Sequence, residues 1–275
     1  MAKEYFVDQD SIVRQIWGRS DTVLFIFAGA AAEFALNKSV DWLYFTGRLP
    51  ADPIGRLFST VSYARSIMFS EKETALRTID AMTSIHAQVE INRGAKIPDW
   101  AYRDVLFMLI DYSIRAFEIL ERKLTDAERE EVFQVFNRLG IRMGMAGLPK
   151  TYHEWKRMRH QHLHANLQHS SFTTDLFSQY QKHLGAIRYW ILREVQTAIV
   201  PQAVQQLLRL GKVSLLYPLL ILYKLSRLVK LDDTIKSLLL PAKYKKAIRD
   251  LDYKPIIKQK DNLREVIIRR ALQTS

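Results

Sequence analysis

Apolar residues recur along the chain with the spacing of α-helices, and no segment shows the alternation that is typical of β-strands. The first helix is predicted to begin at Ser11, whose side chain suits an N-cap. The following segment, 22–32, is apolar on every face, yet about eleven residues are too few to cross a bilayer. It therefore predicts a buried helix. Its small residues, 28–32, would let a neighbouring helix or a flat cofactor approach the backbone, and helix packing is the simpler interpretation.

A pair of helices is predicted between Pro53 and Gly94, after a turn at 49–53. The capping-box pattern of Ser70 with Glu73 predicts the start of the second helix, and Gly94 predicts its C-terminal cap. In this second helix one apolar stripe recurs at steps of four, three, four and three: Ala75, Ile79, Met82, His86 and Val89. The stripe predicts that the histidine points inward. An inward histidine is either a core side chain that donates to a backbone carbonyl or a ligand.

Two further helices are predicted between Pro98 and Leu139, and the second opens with a capping box formed by Thr125 and Glu128. A loop with several glycines follows, but no strand precedes it, so neither a dinucleotide-binding fingerprint nor a phosphate-binding loop is present. The first of these helices has a predicted buried stripe of six residues: Val105, Met108, Leu109, Tyr112, Ala116 and Leu120.

Most of the histidines lie in or beside one helix that starts at Thr151. Only His160 and His164 share a face, whereas His162 points nearly opposite. Zinc usually requires three or four converging ligands, so this spacing does not favour a transition-metal site. Two alternatives are a solvated basic face, formed by Lys156, Arg157 and Arg159, and a set of donors for the carboxylates of a cofactor.

The pattern as a whole predicts an all-α protein with one helical domain, 1–210, and a basic helical extension, 211–275. The extension contains fifteen Lys or Arg and six Asp or Glu, so it carries +9 of the formal net charge of +12. It begins with an apolar stretch, 213–223, that Pro218 interrupts. This stretch is expected either to close the core or to lie in the interface of an anionic membrane.

Composition narrows the possible chemistry. The 275 residues include no cysteine, which excludes disulfides, thiolate haem ligation, iron–sulfur clusters and cysteine nucleophiles. The basic charge would suit nucleic acid, but no motif for reading nucleic acid is present, so this partner is disfavoured. The first residues lack the pattern of a signal peptide, so the expected location is the cytoplasm, at the membrane surface if the extension binds lipid.

One group of motifs resembles a known family. An Arg-Leu-x-x-Thr step at Arg56 and Thr60, followed by the inward His86, is similar to the haem-dependent MpaB and rubber-oxygenase family, which includes the latex-clearing proteins. The similarity continues in the same order through three short motifs, at 97–100, 105–109 and 148–151, and covers roughly residues 10–170.

The resemblance implies a single multi-helix bundle that encloses a haem-sized pocket. It implies that His86 is the proximal ligand of haem b, and that Arg56 and Thr60 lie opposite, with Ser59 as a further hydroxyl donor. The implied substrates are dioxygen and a hydrophobic, unsaturated small molecule or polymer, isoprenoid or lipid-like. Two positions differ from the family pattern. Latex-clearing proteins carry a lysine where this chain has Ser59, and many relatives carry a His-Pro pair after the first apolar helix, where this chain has residues 37–39.

These differences keep other hypotheses open. One is a haem-binding protein without catalytic activity that senses, carries or stores, and another is a basic helical protein of the membrane surface. For Arg56 the alternative is an ion pair with Asp52, one helical turn earlier, which would contribute only a few tenths of a kcal/mol, roughly.

Overall fold

The computed structural model describes residues 3–47, 51–218 and 223. Within these residues the chain forms helices and two isolated β-bridges, with no strand, which confirms the all-α prediction. The helices are α1 Ile12–Trp17, α2 Ser20–Phe34, α3 Val40–Phe45, α4 Pro53–Phe69, α5 Lys72–Arg93, α6 Asp99–Leu120, α7 Asp126–Arg142, α8 Tyr152–Ala165, α9 Ser171–Leu184, α10 Ala186–Ile199 and α11 Gln202–Leu207.

Helix α6 lies at the centre of the bundle, and α2 packs along it. The two helices approach closely at Gly29, where an added Cβ would overlap the ring of Tyr112. The small residues of α2 therefore make room for a helix, as the simpler interpretation predicted. The predicted stripe of α6 is wrong at Val105, which is 39% exposed. Because α6 is surrounded on most sides, Phe107 and Ile110 are also fully buried, and a single stripe underestimates its buried surface.

Trp17 packs the N-terminal helix α1 against this core. Its side chain is fully buried, and its indole N–H donates to Ser113 Oγ on α6 over 3.1 Å. The ring meets Phe27 edge to face and also contacts Phe136 of α7. The predicted N-cap of α1 is confirmed, since Ser11 Oγ accepts from the backbone N–H of Val13.

Helices α4 and α5 pack against each other, and α5 also contacts α7. The predicted capping box between them is wrong, because Glu71 is the N-cap of α5 and Ser70 ends α4. The N-terminal segment explains the difference: Glu71 pairs with Tyr5 in a β-bridge, and the Lys72 N–H donates to the Glu4 carbonyl. Backbone partners from a distant segment thus replace the local cap.

A buried ion network joins α2, α6 and α8. The Arg159 guanidinium donates to both carboxylate oxygens of Glu33, over 2.5 and 2.6 Å, and to Asp111 over 3.1 Å. The Tyr112 hydroxyl donates to Glu33 as well, and Arg115 pairs with Asp111. This network corrects the prediction for Arg159, which is buried and does not belong to a solvated basic face. Lys156 and Arg157 are exposed, as predicted.

A second buried network surrounds Asp104 on α6. The carboxylate pairs with His162 Nδ1 and accepts hydrogen bonds from the side-chain amides of Asn37 and Asn166. Asn37 in turn accepts from Ser39. The network connects the α2–α3 link to the end of α8. Asn37 lies where many family members carry a His-Pro pair, and in this chain it has a structural role in the network.

The described part of the extension packs on the bundle. Leu216 is buried against Leu120, and Glu194 on α10 accepts hydrogen bonds from the Ser214 hydroxyl and the Leu215 N–H. Residues 219–222 and 224–275, which include Lys224, Arg227 and Lys230, lie outside the described part. The domain boundary at 210 therefore stays a prediction. Over the residues that are described, none of the helices combines the length and apolar character that a membrane span requires.

Candidate active site

His86 lies in the C-terminal half of α5, about two turns before the left-handed cap at Gly94 that ends the helix. The stripe that predicted its orientation is buried at Ala75 and Ile79 but only half-buried at Met82, His86 and Val89. The imidazole therefore stands at the edge of the core. Its neighbour Ile85 is 43% exposed, so this end of the helix retains apolar surface.

The His86 ring is oriented by its own helix. Nδ1 lies 2.7 Å from the carbonyl oxygen of Met82, and because a carbonyl can only accept, Nδ1 carries the proton. The neutral ring then has its lone pair on Nε2. A histidine that ligates a metal needs its other nitrogen held in this way. The contact also satisfies the alternative of a core histidine, so it permits ligation without requiring it.

Electrostatics favour the neutral imidazole. Burial lowers the pKa of His86 below its ordinary value, and the positive charge of Arg56 lowers it further. The hydrogen bond to Met82 and the charge of Glu90 oppose this shift in pKa but do not reverse it. The ring is thus poised to use its Nε2 lone pair at neutral pH.

Tyr102 and Glu90 also lie near the His86 ring, and the sequence analysis predicted neither. The Tyr102 ring meets the imidazole edge to face, with 5.4 Å between ring centroids. Its hydroxyl donates to Glu90 Oε1 over 3.3 Å, and Glu90 also accepts from the Ile97 N–H and from Lys96. Two signals could have indicated them: Glu90 lies one helical turn after His86, and Tyr102 follows the short motif at 97–100.

Arg56, which lies on α4, is near the imidazole of His86. The helix begins at Pro53, and Asp52 caps it by accepting from the Gly55 N–H over 3.0 Å. The Arg56 side chain is half-buried, and it is close enough to lower the pKa of His86. The structure thus brings together the two residues that the resemblance placed on opposite sides of one site.

The hydroxyls of Ser59 and Thr60 are directed back to their own helix. Ser59 Oγ donates to the Arg56 carbonyl over 2.7 Å and Thr60 Oγ1 donates to the same oxygen over 3.2 Å. Both side chains are half-buried. They therefore support the backbone at Arg56, while their oxygen lone pairs can still accept.

The histidines of α8 do not converge on one point. The exposed rings of His160 and His164 lie 4.6 Å apart, and His162 points the other way, toward Asp104, as the helical spacing predicted. The described part of the chain contains no group of three or more histidine, aspartate or glutamate side chains that could hold a metal ion.

Comparison with protein families identifies the chain. Residues 14–229 match the family described as ER-bound oxygenase mpaB/B'/Rubber oxygenase, catalytic domain. The chain belongs to the MpaB/rubber oxygenase family. This match covers most of the sequence, confirms the predicted family and classifies the protein as an oxygenase, an oxidoreductase. Comparison with curated proteins gave no match, and comparison with solved structures gave none either.

Proposed function

We propose that this MpaB/rubber oxygenase relative binds haem b through His86 and adds dioxygen to a hydrophobic, unsaturated substrate. The observation that carries the proposal is the hydrogen bond between His86 Nδ1 and the Met82 carbonyl, which leaves Nε2 as an oriented neutral donor. His86 is the one residue of the resemblance that offers a nitrogen ligand, and the family supplies the oxygenase class.

The residues around His86 fit haem in three respects. The donor is a neutral imidazole, as haem proteins with a proximal histidine use. The adjoining surface of α5 is apolar at Met82, Ile85 and Val89. A permanent cation, Arg56, acts on the same site. When bound, haem iron supplies the redox chemistry that activates dioxygen.

Each residue of the proposed site then has a separate role. His86 holds the cofactor, and Tyr102 packs against its ring and limits its rotation. Arg56 would stabilise negative charge in the site, since its guanidinium stays charged at any physiological pH. Ser59 and Thr60 fix the backbone of Arg56 and offer lone pairs to an ordered water or to the substrate.

The substrate class is proposed from surface chemistry and from the family description, which includes a rubber oxygenase. Ile91 is 70% exposed and Ile85 43% exposed on the helix that carries His86. An isoprenoid or lipid-like chain, with no charge to be recognised, suits such a surface.

We further propose that the protein is cytoplasmic and associates with anionic membrane surfaces. Ile187 and Trp190 are exposed on α10, and Leu215, which bonds to Glu194 on the same helix, is 68% exposed. Exposed apolar residues with an interfacial tryptophan are typical of membrane contact, and the basic extension would add attraction to anionic lipid. Sedimentation with phosphatidylserine vesicles should be weakened in Trp190→Ser, and equal sedimentation of both proteins would contradict the proposal.

Oxygen uptake tests the enzymatic proposal. The reduced, haem-loaded protein is mixed with a short polyisoprenoid, dissolved oxygen is recorded, and carbonyl products are measured in the same sample. Oxygen consumption matched by carbonyl products, and absent in His86→Ala, is the expected result. Reversible oxygen binding without product would contradict catalysis and favour an oxygen carrier.

A further inference from the structure

A cleft of about 320 Å³ opens between α9, α10 and the end of α11, on residues that the proposed haem site does not use. Five of its lining residues are buried or half-buried: Thr173, Phe177, Tyr189, Arg193 and Leu208. The other four are exposed polar side chains, called here the rim: His169, Thr174, Ser178 and Gln181. The lining thus combines aromatic and aliphatic surface with several convergent polar groups, as small-molecule sites do, and the volume is at the lower end of the range for such sites.

Arg193 gives this cleft its chemical character. Its guanidinium carbon lies 4.7 Å from the centroid of the Phe177 ring, so the planar group is held against an aromatic face. Two of its N–H groups reach neutral acceptors, Gln196 Oε1 at 3.4 Å and the Leu208 carbonyl at 3.2 Å. A guanidinium has five N–H donors, so donors remain for a ligand.

The positive charge of Arg193 is not balanced locally. Among the described residues no carboxylate forms an ion pair with it, whereas Arg159 in the core has two. Burial lowers the pKa of Arg193, and the nearby Tyr189, which is not a carboxylate, opposes this shift without reversing it. A half-buried cation without an anion costs free energy, and a bound anion would recover part of that cost.

The rim indicates which anion fits. Thr174, Ser178 and Gln181 lie at successive turns of α9, so their hydroxyl and amide groups line one side of the cleft. Together with Arg193 and His169 they offer more donors than the two oxygens of a carboxylate can use. A phosphate monoester has three terminal oxygens and a charge between −1.5 and −2, roughly, at neutral pH.

We propose that this cleft binds a small phosphate monoester, with the phosphate at Arg193 and the apolar part of the ligand against Phe177 and Tyr189. Two sources share this chemistry, a soluble phosphorylated metabolite and the headgroup of a phosphatidate lipid. The site is independent of haem, so its occupancy is measured as binding and not as turnover.

Calorimetric titration of the full-length protein with phenyl phosphate tests the proposal. Binding in the micromolar to low millimolar range is expected, and Arg193→Gln should weaken it by roughly 10- to 100-fold, since hydrogen bonds to a charged group are lost. Lys182→Gln is the matched control, because it removes one positive charge from an exposed position of α9 outside the cleft. It should bind as the wild type does.

A second variant shows whether weaker binding by Arg193→Gln results from the lost contact or from a folding defect. Ser178 is exposed, so Ser178→Ala is expected to fold normally and to bind several-fold more weakly. Titration with dihexanoyl phosphatidate, a water-soluble short-chain lipid, separates the two sources: tighter binding than phenyl phosphate indicates a lipid headgroup, and weaker binding indicates a soluble metabolite. Absence of phenyl phosphate and phosphatidate binding to the wild type, or equal affinities in wild type and both cleft variants, would overturn the proposal.

Discussion

The carbonyl of Met82 holds the imidazole of His86 by accepting from Nδ1 over 2.7 Å, within a single turn of α5. This bond fixes both the tautomer and the direction of the ring, so Nε2 is the nitrogen left for any other task. Since the same bond would satisfy an ordinary core histidine, the proposal that His86 is a ligand depends also on three other features: the charge of Arg56, the half-buried position and the oxygenase family.

Substitution of Arg56 by Gln should separate cofactor binding from turnover. Haem content should be unchanged, because the proposed ligand is His86, while kcat should fall by about 10²- to 10³-fold, the usual cost of losing one preorganised donor. Haem content is measured as the pyridine haemochrome, and kcat as oxygen uptake. Arg77→Gln is the control, since Arg77 is exposed on α5 and its ion pair among the described residues is with the exposed Glu73. An unchanged kcat in Arg56→Gln would remove this residue from the mechanism.

Stability of the haem-free protein should depend on pH through His86. The folded state lowers the pKa of this residue below its ordinary value of 6.5, so the unfolded state binds the proton more readily. The free energy of unfolding should therefore fall as pH drops below about 6.5. Urea unfolding at pH 7.5 and 5.5 measures it, and His86→Gln should show a smaller loss. Equal losses in both proteins would mean that the pKa of His86 is not lowered.

Loss of Arg159 should destabilise the bundle strongly. In Arg159→Met the carboxylates of Glu33 and Asp111 stay buried without their main partner, and such a change costs about 3–5 kcal/mol of unfolding free energy. Urea denaturation provides the measurement. Arg142→Met, which removes an exposed pair with Asp80, should have a much smaller effect. Similar effects of the two substitutions would show that the buried network is not important for stability.

Gly29→Ala tests the contact between α2 and α6. The added Cβ would overlap the Tyr112 ring, and overpacking of this kind costs about 1–3 kcal/mol. Gly211→Ala is a suitable control, since its added Cβ would lie 3.6 Å from the nearest atom outside its neighbours, the Val213 carbonyl oxygen. Thermal unfolding of both variants gives the comparison. A melting temperature of Gly29→Ala equal to that of the wild type would contradict the close approach.

Local signals in the sequence predicted most helices and several of their ends. Ser11 and Thr125 cap helices as expected, and Gly94 adopts the left-handed conformation with φ of 67°. These features depend on residues within one helical turn, so a single sequence contains them. The cap predicted at Ser70 failed because its replacement comes from Glu4 and Tyr5, which are distant in sequence.

The candidate site was predictable in part for the same reason. The stripe of α5 and the turn between Arg56 and Thr60 are local patterns, and the resemblance joined them into one site. Tyr102 and Glu90 escaped prediction because their roles depend on how the α5–α6 link folds back. Arg159 was placed at the surface because its buried partners, Glu33 and Asp111, lie 126 and 48 residues away in the chain.

The absorption spectrum of the purified protein after reconstitution with haem tests the central claim most directly. A Soret band is expected in the wild type, and it should be lost or shifted in His86→Ala. His160→Ala, which changes an exposed histidine of α8, should leave the band unchanged. A wild-type protein that takes up no haem, or a His86→Ala variant with the wild-type spectrum, would contradict the assignment of His86 as the ligand.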